Sequence, residues 1–166
     1  MKVRIIGPSG AGKSWLARRL SQKLDIQLYD LDSIFWDNSV SSFNVKRGVE
    51  ERDAMLRDVL KKDAWIIEGV QYSWTGATFS DAYVIYVLNP PPALCRMRIL
   101  RRFVRRKLCK ADRKKESVRS MLALLKWTRK FYEVNFPEIR QELEPYREKV
   151  IEIHSKKEIA RLLHDK

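Results

Sequence analysis

A glycine-rich octapeptide near the start of the chain constrains the fold more than any other feature. Residues 7–14 read Gly-Pro-Ser-Gly-Ala-Gly-Lys-Ser and match the pattern G-x-x-x-x-G-K-[ST]. The apolar stretch 2–6 reads as a strand before the pattern, and apolar residues at helical spacing follow it as far as Leu24. A strand, a glycine-rich turn and a helix in this order predict a P-loop, in which backbone N–H groups and the helix N-terminus bind phosphate.

This loop predicts which residues hold a nucleotide. Lys13 is expected to reach the β- and γ-phosphates of ATP, and the Ser14 hydroxyl is expected to bind Mg²⁺. The motif leaves the reaction open, because kinases, GTPases, ATPases and inactive binders share it. The predicted nucleotide-binding residues of the loop are Gly7, Pro8, Ser9, Gly10, Ala11, Gly12, Lys13 and Ser14.

Strand and helix patterns alternate along the chain and indicate an α/β protein. Alternation of this kind predicts a parallel sheet with helices on both faces. Between residues 91 and 147 the chain shows helical patterns only, which predict helices over one face of the sheet or, in part, a mobile flap. The first of these patterns places Leu94, Met97, Leu100 and Val104 on one apolar stripe. The five predicted strands are residues 2–6, 26–29, 64–67, 82–88 and 150–153.

Length and composition exclude several classes of protein. A chain of 166 residues with 45% apolar residues is expected to form one domain, residues 1–166, with a core that needs no disulfide or structural metal. Its longest apolar run, residues 82–88, is far shorter than the ~20 residues of a membrane span, and no signal peptide is apparent. We therefore expect a cytoplasmic protein without a membrane partner. Cys95 and Cys109 are expected to be reduced thiols, and the sequence does not indicate an oligomeric state.

The positive charge is confined to one segment. The net charge is +13, and residues 91–130 hold 15 Lys or Arg against two acids, so the rest of the chain, with 19 basic and 19 acidic residues, is neutral. A solvated helix face would explain four or five of these charges. The remaining basic residues predict either a phosphate-binding lid or a surface that binds nucleic acid.

Three acidic residues follow predicted strands, where they would lie beside the P-loop. Asp30 and Asp32 come after the second strand, and Glu68 comes after the third. Phosphoryl transfer with magnesium needs a carboxylate near the metal, and transfer to a hydroxyl gains from a base. Each of the three could instead cap a helix or a turn.

Four motifs resemble one family of P-loop proteins. They are the octapeptide at 7–14, Tyr-Asp-Leu-Asp-Ser-Ile-Phe-Trp at 29–36, Trp-Ile-Ile-Glu-Gly at 65–69, and Cys95-x-x-Arg98-x-x-x-Arg102. Together they resemble the adenylate-kinase-like proteins labelled "DNA topology modulation protein". The similarity extends over nearly the whole chain, including Lys-Trp-Thr-Arg at 126–129.

The resemblance implies a nucleoside-monophosphate-kinase-like fold, with a parallel sheet in the order 2-3-1-4-5. It also implies an ATP site at the P-loop and an arginine-rich lid at about residues 105–118. Arg98 and Arg102 match the arginines of the family's lid helix, and are expected to bind ATP and to neutralise charge on the transferring phosphoryl group.

Two departures from related kinases narrow the chemistry. Trp15 is a predicted nucleotide-binding position at which many relatives have a Thr or Ser, whose hydroxyl contacts the α-phosphate. Tryptophan has no hydroxyl, so this chain is expected to lack that contact. Residues 68–72 read Glu-Gly-Val-Gln-Tyr and lack the arginine that holds an acceptor phosphate in nucleoside monophosphate kinases. Asp32 matches the aspartate that faces an acceptor hydroxyl in shikimate- and gluconate-kinase-like enzymes.

These observations predict a small-molecule kinase that uses ATP and Mg²⁺. Lys13, Asp32, Arg98 and Arg102 are the candidate catalytic residues, and Ser14, Asp30 and Glu68 are the candidate magnesium ligands, in part through water. The acceptor would be a nucleoside-like, nucleotide-like or sugar-like molecule, with a hydroxyl favoured over a phosphate. Two alternatives stay open: a nucleic-acid-associated ATP-binding protein that acts on DNA topology through residues 91–130, and a nucleotide binder without transferase activity.

Overall fold

A computed structural model describes residues 1–37, 45–108 and 117–164. Its centre is a five-stranded sheet in the order β2-β3-β1-β4-β5, with every neighbouring pair of strands parallel. The predicted strand order is therefore confirmed. The strands are β1 (Lys2–Ile6), β2 (Leu28–Asp30), β3 (Trp65–Glu68), β4 (Val84–Leu88) and β5 (Val150–Ile153).

Helices connect the strands, as parallel pairing requires. A π-helical segment, Phe131–Asn135, and a 3₁₀ segment, Glu144–Lys149, lie in the connection between β4 and β5. In the part of the chain that the structure describes, no helix is both long and apolar enough to cross a membrane. The α-helices are α1 (Lys13–Leu24), α2 (Leu31–Phe35), α3 (Val49–Leu60), α4 (Gly76–Asp81), α5 (Pro92–Leu108), α6 (Val118–Lys130), α7 (Phe136–Leu143) and α8 (Lys156–His164).

Side chains of the central strands alternate between two cores, one on each face of the sheet. On β1, Val3 and Ile5 pack with α1 and α8, whereas Ile6 packs with helices α2, α3 and α7 on the other face. Because both faces are covered, the central strands are apolar almost throughout. The predicted helix layers on both faces are confirmed.

The apolar stripe predicted on α5 does not face the core. Met97, Leu100 and Val104 are exposed, and the residues that α5 buries are Cys95 and Ile99. The rotation follows from Arg98, whose guanidinium bonds to carbonyl groups of the glycine-rich loop and so turns that face of α5 inward. The sequence pattern identified the stripe, but the stripe is not the buried face of α5.

The π-helical segment interrupts what would otherwise be one helix from α6 to α7. Phe136 donates its N–H to the carbonyl of Phe131, five residues earlier. Pro137 follows, and it has no N–H with which to continue the α-helical pattern. Such π-bulges occur frequently at functional sites, and this one carries Asn135, which lines the cleft described below.

Candidate active site

The glycine-rich loop follows β1 at the carboxyl edge of the sheet, where open α/β sheets bind their ligands. Gly10 has φ +80°, and a Cβ there would lie 2.7 Å from the Cys95 carbonyl oxygen. Gly12 has φ +107° and is the N-cap of α1. A residue with a Cβ is disfavoured at both positions. Glycine is therefore what allows the loop to curl over the N-terminus of α1. The strand–loop–helix geometry predicted for the P-loop is confirmed.

Lys13 points back over this loop. Its Nζ donates a 3.0 Å hydrogen bond to the Pro8 carbonyl oxygen. Burial lowers the pKa of the Lys13 ammonium, and the nearby carboxylates of Glu68 and Asp32 partly oppose that shift. The ammonium is therefore held within the loop, where it can exchange a carbonyl oxygen for a phosphate oxygen.

Ser14 and Glu68 meet at the base of the loop. Ser14 Oγ donates a 2.5 Å hydrogen bond to Glu68 Oε1, and Glu68, the last residue of β3, is 5% exposed. A hydroxyl and a carboxylate are ligands that Mg²⁺ prefers. No cluster of three or more His, Cys, Asp or Glu in the described ranges could hold a metal. This arrangement fits Mg²⁺, which is usually held by one or two protein oxygens together with substrate phosphates and water.

Asp30 and Asp32 have different roles in the structure. The Asp30 side chain accepts a 2.9 Å hydrogen bond from the Asp32 N–H and so caps α2. Partial desolvation, with repulsion from Glu68 and Asp32, raises the pKa of Asp30 to about 6. Asp32 Oδ1 accepts a 2.7 Å hydrogen bond from Gln71 Nε2, which fixes its carboxylate toward the segment after β3.

Arg98 joins α5 to the glycine-rich loop. Its Nη1 donates to the carbonyl oxygens of Gly10, at 3.0 Å, and Ala11, at 2.9 Å. Arg102 lies one turn further along α5 and is half-buried. The first residues of the predicted lid, 105–108, continue α5, residues 109–116 lie outside the described residues, and α6 begins at Val118.

Trp15 lies on the surface of α1. Its side chain is 47% exposed, and the Arg19 guanidinium lies 5.7 Å from its ring centroid. Its backbone N–H donates to the Gly12 carbonyl. Position 15 therefore offers an indole and no side-chain hydroxyl.

A cleft of about 480 Å³ opens between the glycine-rich loop and helices α2 and α6. We call it the aromatic cleft. Asp32, which the sequence analysis proposed as the residue that faces the acceptor, is part of its lining. The aromatic residues of the lining were not predicted. The available signal was the aromatic pairs Phe-Trp at 35–36 and Tyr-Ser-Trp at 72–74, which closely follow strands β2 and β3. Its lining consists of Ser9, Asp32, Phe35, Trp36, Val70, Gln71, Tyr72, Ser73, Trp74, Leu124, Trp127 and Asn135.

Arg4 is a further residue that sequence reasoning missed. It is fully buried in β1, and its guanidinium donates to the carbonyl oxygens of Ile5 at 2.6 Å, Gly69 at 3.2 Å and Gln71 at 2.7 Å. Burial lowers the pKa of Arg4 to about 9, and Glu68 partly opposes this. A charged residue inside an otherwise apolar strand was the available signal. Arg4 fixes the backbone that carries Gln71.

Comparison with curated sequences finds partial similarity to two proteins. Residues of this chain are 33% identical over 73 positions to the uncharacterized protein YqaC of Bacillus subtilis (strain 168), covering 43% of this chain and 39% of that protein. They are 30% identical over 83 positions to the shikimate kinase of Rhodococcus jostii (strain RHA1), covering 48% of this chain and 49% of that enzyme. The chain thus spans at most about half the length of these relatives. No family model matches it.

Two solved structures share the whole fold. A gluconokinase from Sinorhizobium meliloti 1021 superposes with a TM-score of 0.56 at 12% identity, covering 98% of this chain and 86% of that one. A shikimate kinase from Acinetobacter baumannii, in complex with shikimate, superposes with a TM-score of 0.61 at 17% identity, covering 98% of this chain and 90% of that one. The described chain therefore has the P-loop kinase fold seen in these two proteins.

Proposed function

We propose that this protein is an ATP- and Mg²⁺-dependent kinase that transfers the γ-phosphoryl group to a hydroxyl of a small molecule. One observation carries the proposal: Ser9 of the P-loop and Asp32 line the same cleft. A molecule in that cleft would lie between the phosphate-binding loop and a fixed carboxylate. The partial similarity to a shikimate kinase, and the fold shared with a gluconokinase, support the same class of reaction.

The P-loop binds the nucleotide in this proposal. Backbone N–H groups of residues 7–14 and the Lys13 ammonium would bind the β- and γ-phosphates. Ser14 would hold Mg²⁺, with Glu68 and Asp30 acting through its water shell. Bound Mg²⁺ would supply neutralisation of phosphate charge.

Asp32 receives the proton of the acceptor. The acceptor oxygen forms a bond to the γ-phosphorus, the bond from that phosphorus to the β–γ bridging oxygen breaks, and ADP leaves. The hydroxyl proton passes to the Asp32 carboxylate, which is a general base in this step. Gln71 orients Asp32 through the 2.7 Å hydrogen bond to Oδ1.

Arg98 and Arg102 stabilise the charge that builds up on the transferring group. Arg98 already reaches the loop that holds the phosphates, through Gly10 and Ala11. A planar guanidinium with several donors suits this role, because it can bind two phosphate oxygens at once.

The segment after β3 supports a hydroxyl acceptor. Residues 69–72 contain no arginine, and Gln71 takes the place facing Asp32. A phosphate acceptor, which is already ionised, would need a cation and no base. Here the cleft offers a base.

Neither alternative is favoured by a specific contact. The proteins named above give no support to a nucleic-acid partner, and the similarity to DNA topology modulation proteins stays a prediction. Two of the basic residues, Arg98 and Arg102, are half-buried on α5 instead of lying on an open surface.

A screen for acceptor-dependent ADP release tests the proposal. The protein would be incubated with Mg-ATP and, one at a time, nucleosides, nucleotides, sugars and hydroxy acids. We expect ADP to form with at least one hydroxyl compound, and Lys13→Ala to abolish it. Nucleotide binding without ADP release from any acceptor would favour an inactive binder, and retention on DNA beyond ~0.5 M salt would favour the nucleic-acid alternative.

A further inference from the structure

The aromatic cleft has rings on several sides. Phe35, Trp36, Tyr72, Trp74 and Trp127 supply five of its twelve lining residues. Phe35 and Trp74 are stacked, with ring centroids 6.2 Å apart and planes inclined by 25°. Trp36 meets Phe35 edge to face at 4.7 Å. A wall of this kind binds a planar ring better than a flexible polyol, because flat apolar surfaces stack.

Contacts outside the cleft hold these rings in place. Trp36 forms a β-bridge with Lys46, and the Arg47 N–H donates to the Phe35 carbonyl at 2.9 Å. The Arg52 guanidinium lies 4.2 Å from the Trp74 ring centroid. On the opposite side, Trp127 packs on the buried Phe131 at 5.4 Å. The wall is therefore built before a ligand arrives, which lowers the entropy cost of binding.

The charge of the lining disfavours an anion. Among the described residues that line the cleft, Asp32 is the one with a charged side chain. The nearby cations Lys46 and Arg52 lie against the rings of Phe35 and Trp74 and are not part of the lining. A carboxylate or phosphate of an acceptor would be repelled by Asp32 without a compensating cation in the lining.

Two amide side chains in the lining have an unused hydrogen-bond acceptor. Gln71 must direct its NH₂ group toward Asp32, because a carboxylate only accepts. Tyr72 donates its hydroxyl proton to Glu138, so Asn135 must direct its NH₂ group, 3.0 Å away, to the Tyr72 oxygen. The carbonyl oxygens of Gln71 and Asn135 are buried and have no hydrogen-bond partner. Protein atoms cover both oxygens, and Gln71 Oε1 points toward Gly69, so a ligand in the cleft would reach them only if the amide side chains moved.

We propose that the acceptor is an uncharged, hydroxyl-bearing heteroaromatic compound of the nucleoside class. The ring would stack in the aromatic cleft, and its hydroxyl would lie at Asp32. This assignment rests on the proposed kinase function for the hydroxyl, whereas the ring contacts can be tested by binding alone.

Calorimetric titration tests the binding directly. The full chain is first saturated with Mg-ADP, so that the P-loop is occupied and an added nucleoside cannot bind there. Adenosine, guanosine, cytidine and uridine are then compared with shikimate and gluconate. We expect at least one nucleoside to bind about tenfold or more tightly than either carboxylate. Tighter binding of shikimate or gluconate than of every nucleoside would overturn the proposal.

Aromatic variants test the ring contacts. Trp74→Leu and Trp127→Leu are expected to weaken nucleoside binding by about fivefold to a hundredfold, the range measured for base–aromatic stacking. Tyr83→Leu is the matched control, because Tyr83 is 75% exposed and lies outside this cleft. Melting curves would show whether each variant is folded. Two folded variants that bind like Tyr83→Leu would overturn the stacking assignment.

Binding and turnover together separate this inference from the proposed function. Nucleoside binding without ADP release from any acceptor would contradict the kinase and leave the ring site standing. ADP release with gluconate or shikimate, and no nucleoside binding, would confirm a kinase and overturn the acceptor class.

Discussion

The Arg4 guanidinium donates a 2.7 Å hydrogen bond to the carbonyl oxygen of Gln71, a residue 67 positions further along the chain. The same Gln71 donates through its side chain to Asp32. The strand that leads into the P-loop is thereby linked to the Asp32 carboxylate of the aromatic cleft through one glutamine. The proposed phosphate-binding and acceptor-binding parts of the site therefore share a single buried support.

Replacing Arg4 tests this support. Arg4→Met would leave the Gly69 carbonyl oxygen without its guanidinium donor, whereas the Ile5 and Gln71 carbonyl oxygens would keep bonds from the Gly69 N–H and the Thr75 hydroxyl. A buried group left unpaired costs ~1–3 kcal/mol, and relief of burying a charge offsets part of this, so we expect the free energy of unfolding to fall by about 2 kcal/mol. Urea unfolding followed by circular dichroism measures it.

Lys2→Met is the control for Arg4→Met. Lys2 lies in the same strand, but it forms a partly exposed ion pair with Asp81 at 2.8 Å. Such pairs contribute up to ~1 kcal/mol, so the control should lose less stability. Equal losses for the two variants would mean that the carbonyl groups near Arg4 find other partners.

The nucleotide site is tested by Lys13→Ala. The Lys13 ammonium contacts the Pro8 carbonyl of its own loop, so its removal should leave the fold intact while removing a cation from the phosphates. Mg-ATP should raise the melting temperature of the wild type and leave that of the variant unchanged. Equal rises in both proteins would contradict the assignment of Lys13 to ATP.

Much of this fold could be predicted from the sequence, because its signals are local. The glycine pattern at 7–14 needs only its own spacing, and the strands are apolar runs that are buried on both faces. The strand order came from a resemblance, since periodicity does not reveal which strands are neighbours. The short helices α2 and α4 were missed because five or six residues show too little periodicity.

The site was only partly predictable. Asp32 and Glu68 could be named as candidates because they follow strands that end at one edge of the sheet. The apolar stripe of α5 does not reveal which face of the helix is buried, because that depends on Arg98 reaching carbonyl groups that lie 87 and 88 positions away in the chain. Arg4 and the aromatic cleft depend on similar distant contacts, which no local pattern records.

Lysine substitutions test the arginines of α5. Arg98→Lys and Arg102→Lys keep the charge but lose the planar guanidinium. If these arginines stabilise the transition state, turnover should fall by about tenfold or more, while the affinity for ATP changes less. Steady-state kinetics and ATP titration measure the two quantities.

Arg101→Lys is the matched control, because Arg101 is an exposed residue of the same helix. It should behave like the wild type. A loss of DNA retention in all three variants, with turnover unchanged, would assign the helix to nucleic acid instead.

Asp30 makes stability depend on pH. Its pKa is raised to about 6 in the folded protein, against ~3.9 in an unfolded chain. Between these values the folded state holds more protons, so this residue makes the free energy of unfolding fall as pH rises through that range. Asp30→Asn, which can still cap α2, should remove that part of the dependence.

Urea unfolding of the wild type and Asp30→Asn at several pH values between about 4 and 7 checks the sign. Asp58→Asn is the contrast, because Lys61 lowers the pKa of the exposed Asp58 carboxyl. Asp58 should contribute a small dependence in the opposite direction only near and below pH ~4, where its folded and unfolded forms bind different numbers of protons, so Asp58→Asn should follow the wild-type profile over most of the range in which Asp30 titrates. A wild type and an Asp30→Asn variant with parallel pH profiles would contradict the raised pKa of Asp30.

Asp32→Asn tests the proposed base. The asparagine oxygen can still accept the hydrogen bond from Gln71, so the cleft keeps its shape while the carboxylate basicity is lost. With a hydroxyl acceptor, turnover should fall by about 10²–10⁴-fold, or ~3–5 kcal/mol in the barrier, with ATP affinity nearly unchanged. Asp30→Asn should instead change the Mg²⁺ concentration that the reaction requires. Near-normal turnover of Asp32→Asn would mean that the acceptor is an ionised phosphate or that Asp32 serves only to hold Gln71. Assays with a nucleoside and its monophosphate would distinguish these two explanations, because only the phosphate acceptor reacts without a base.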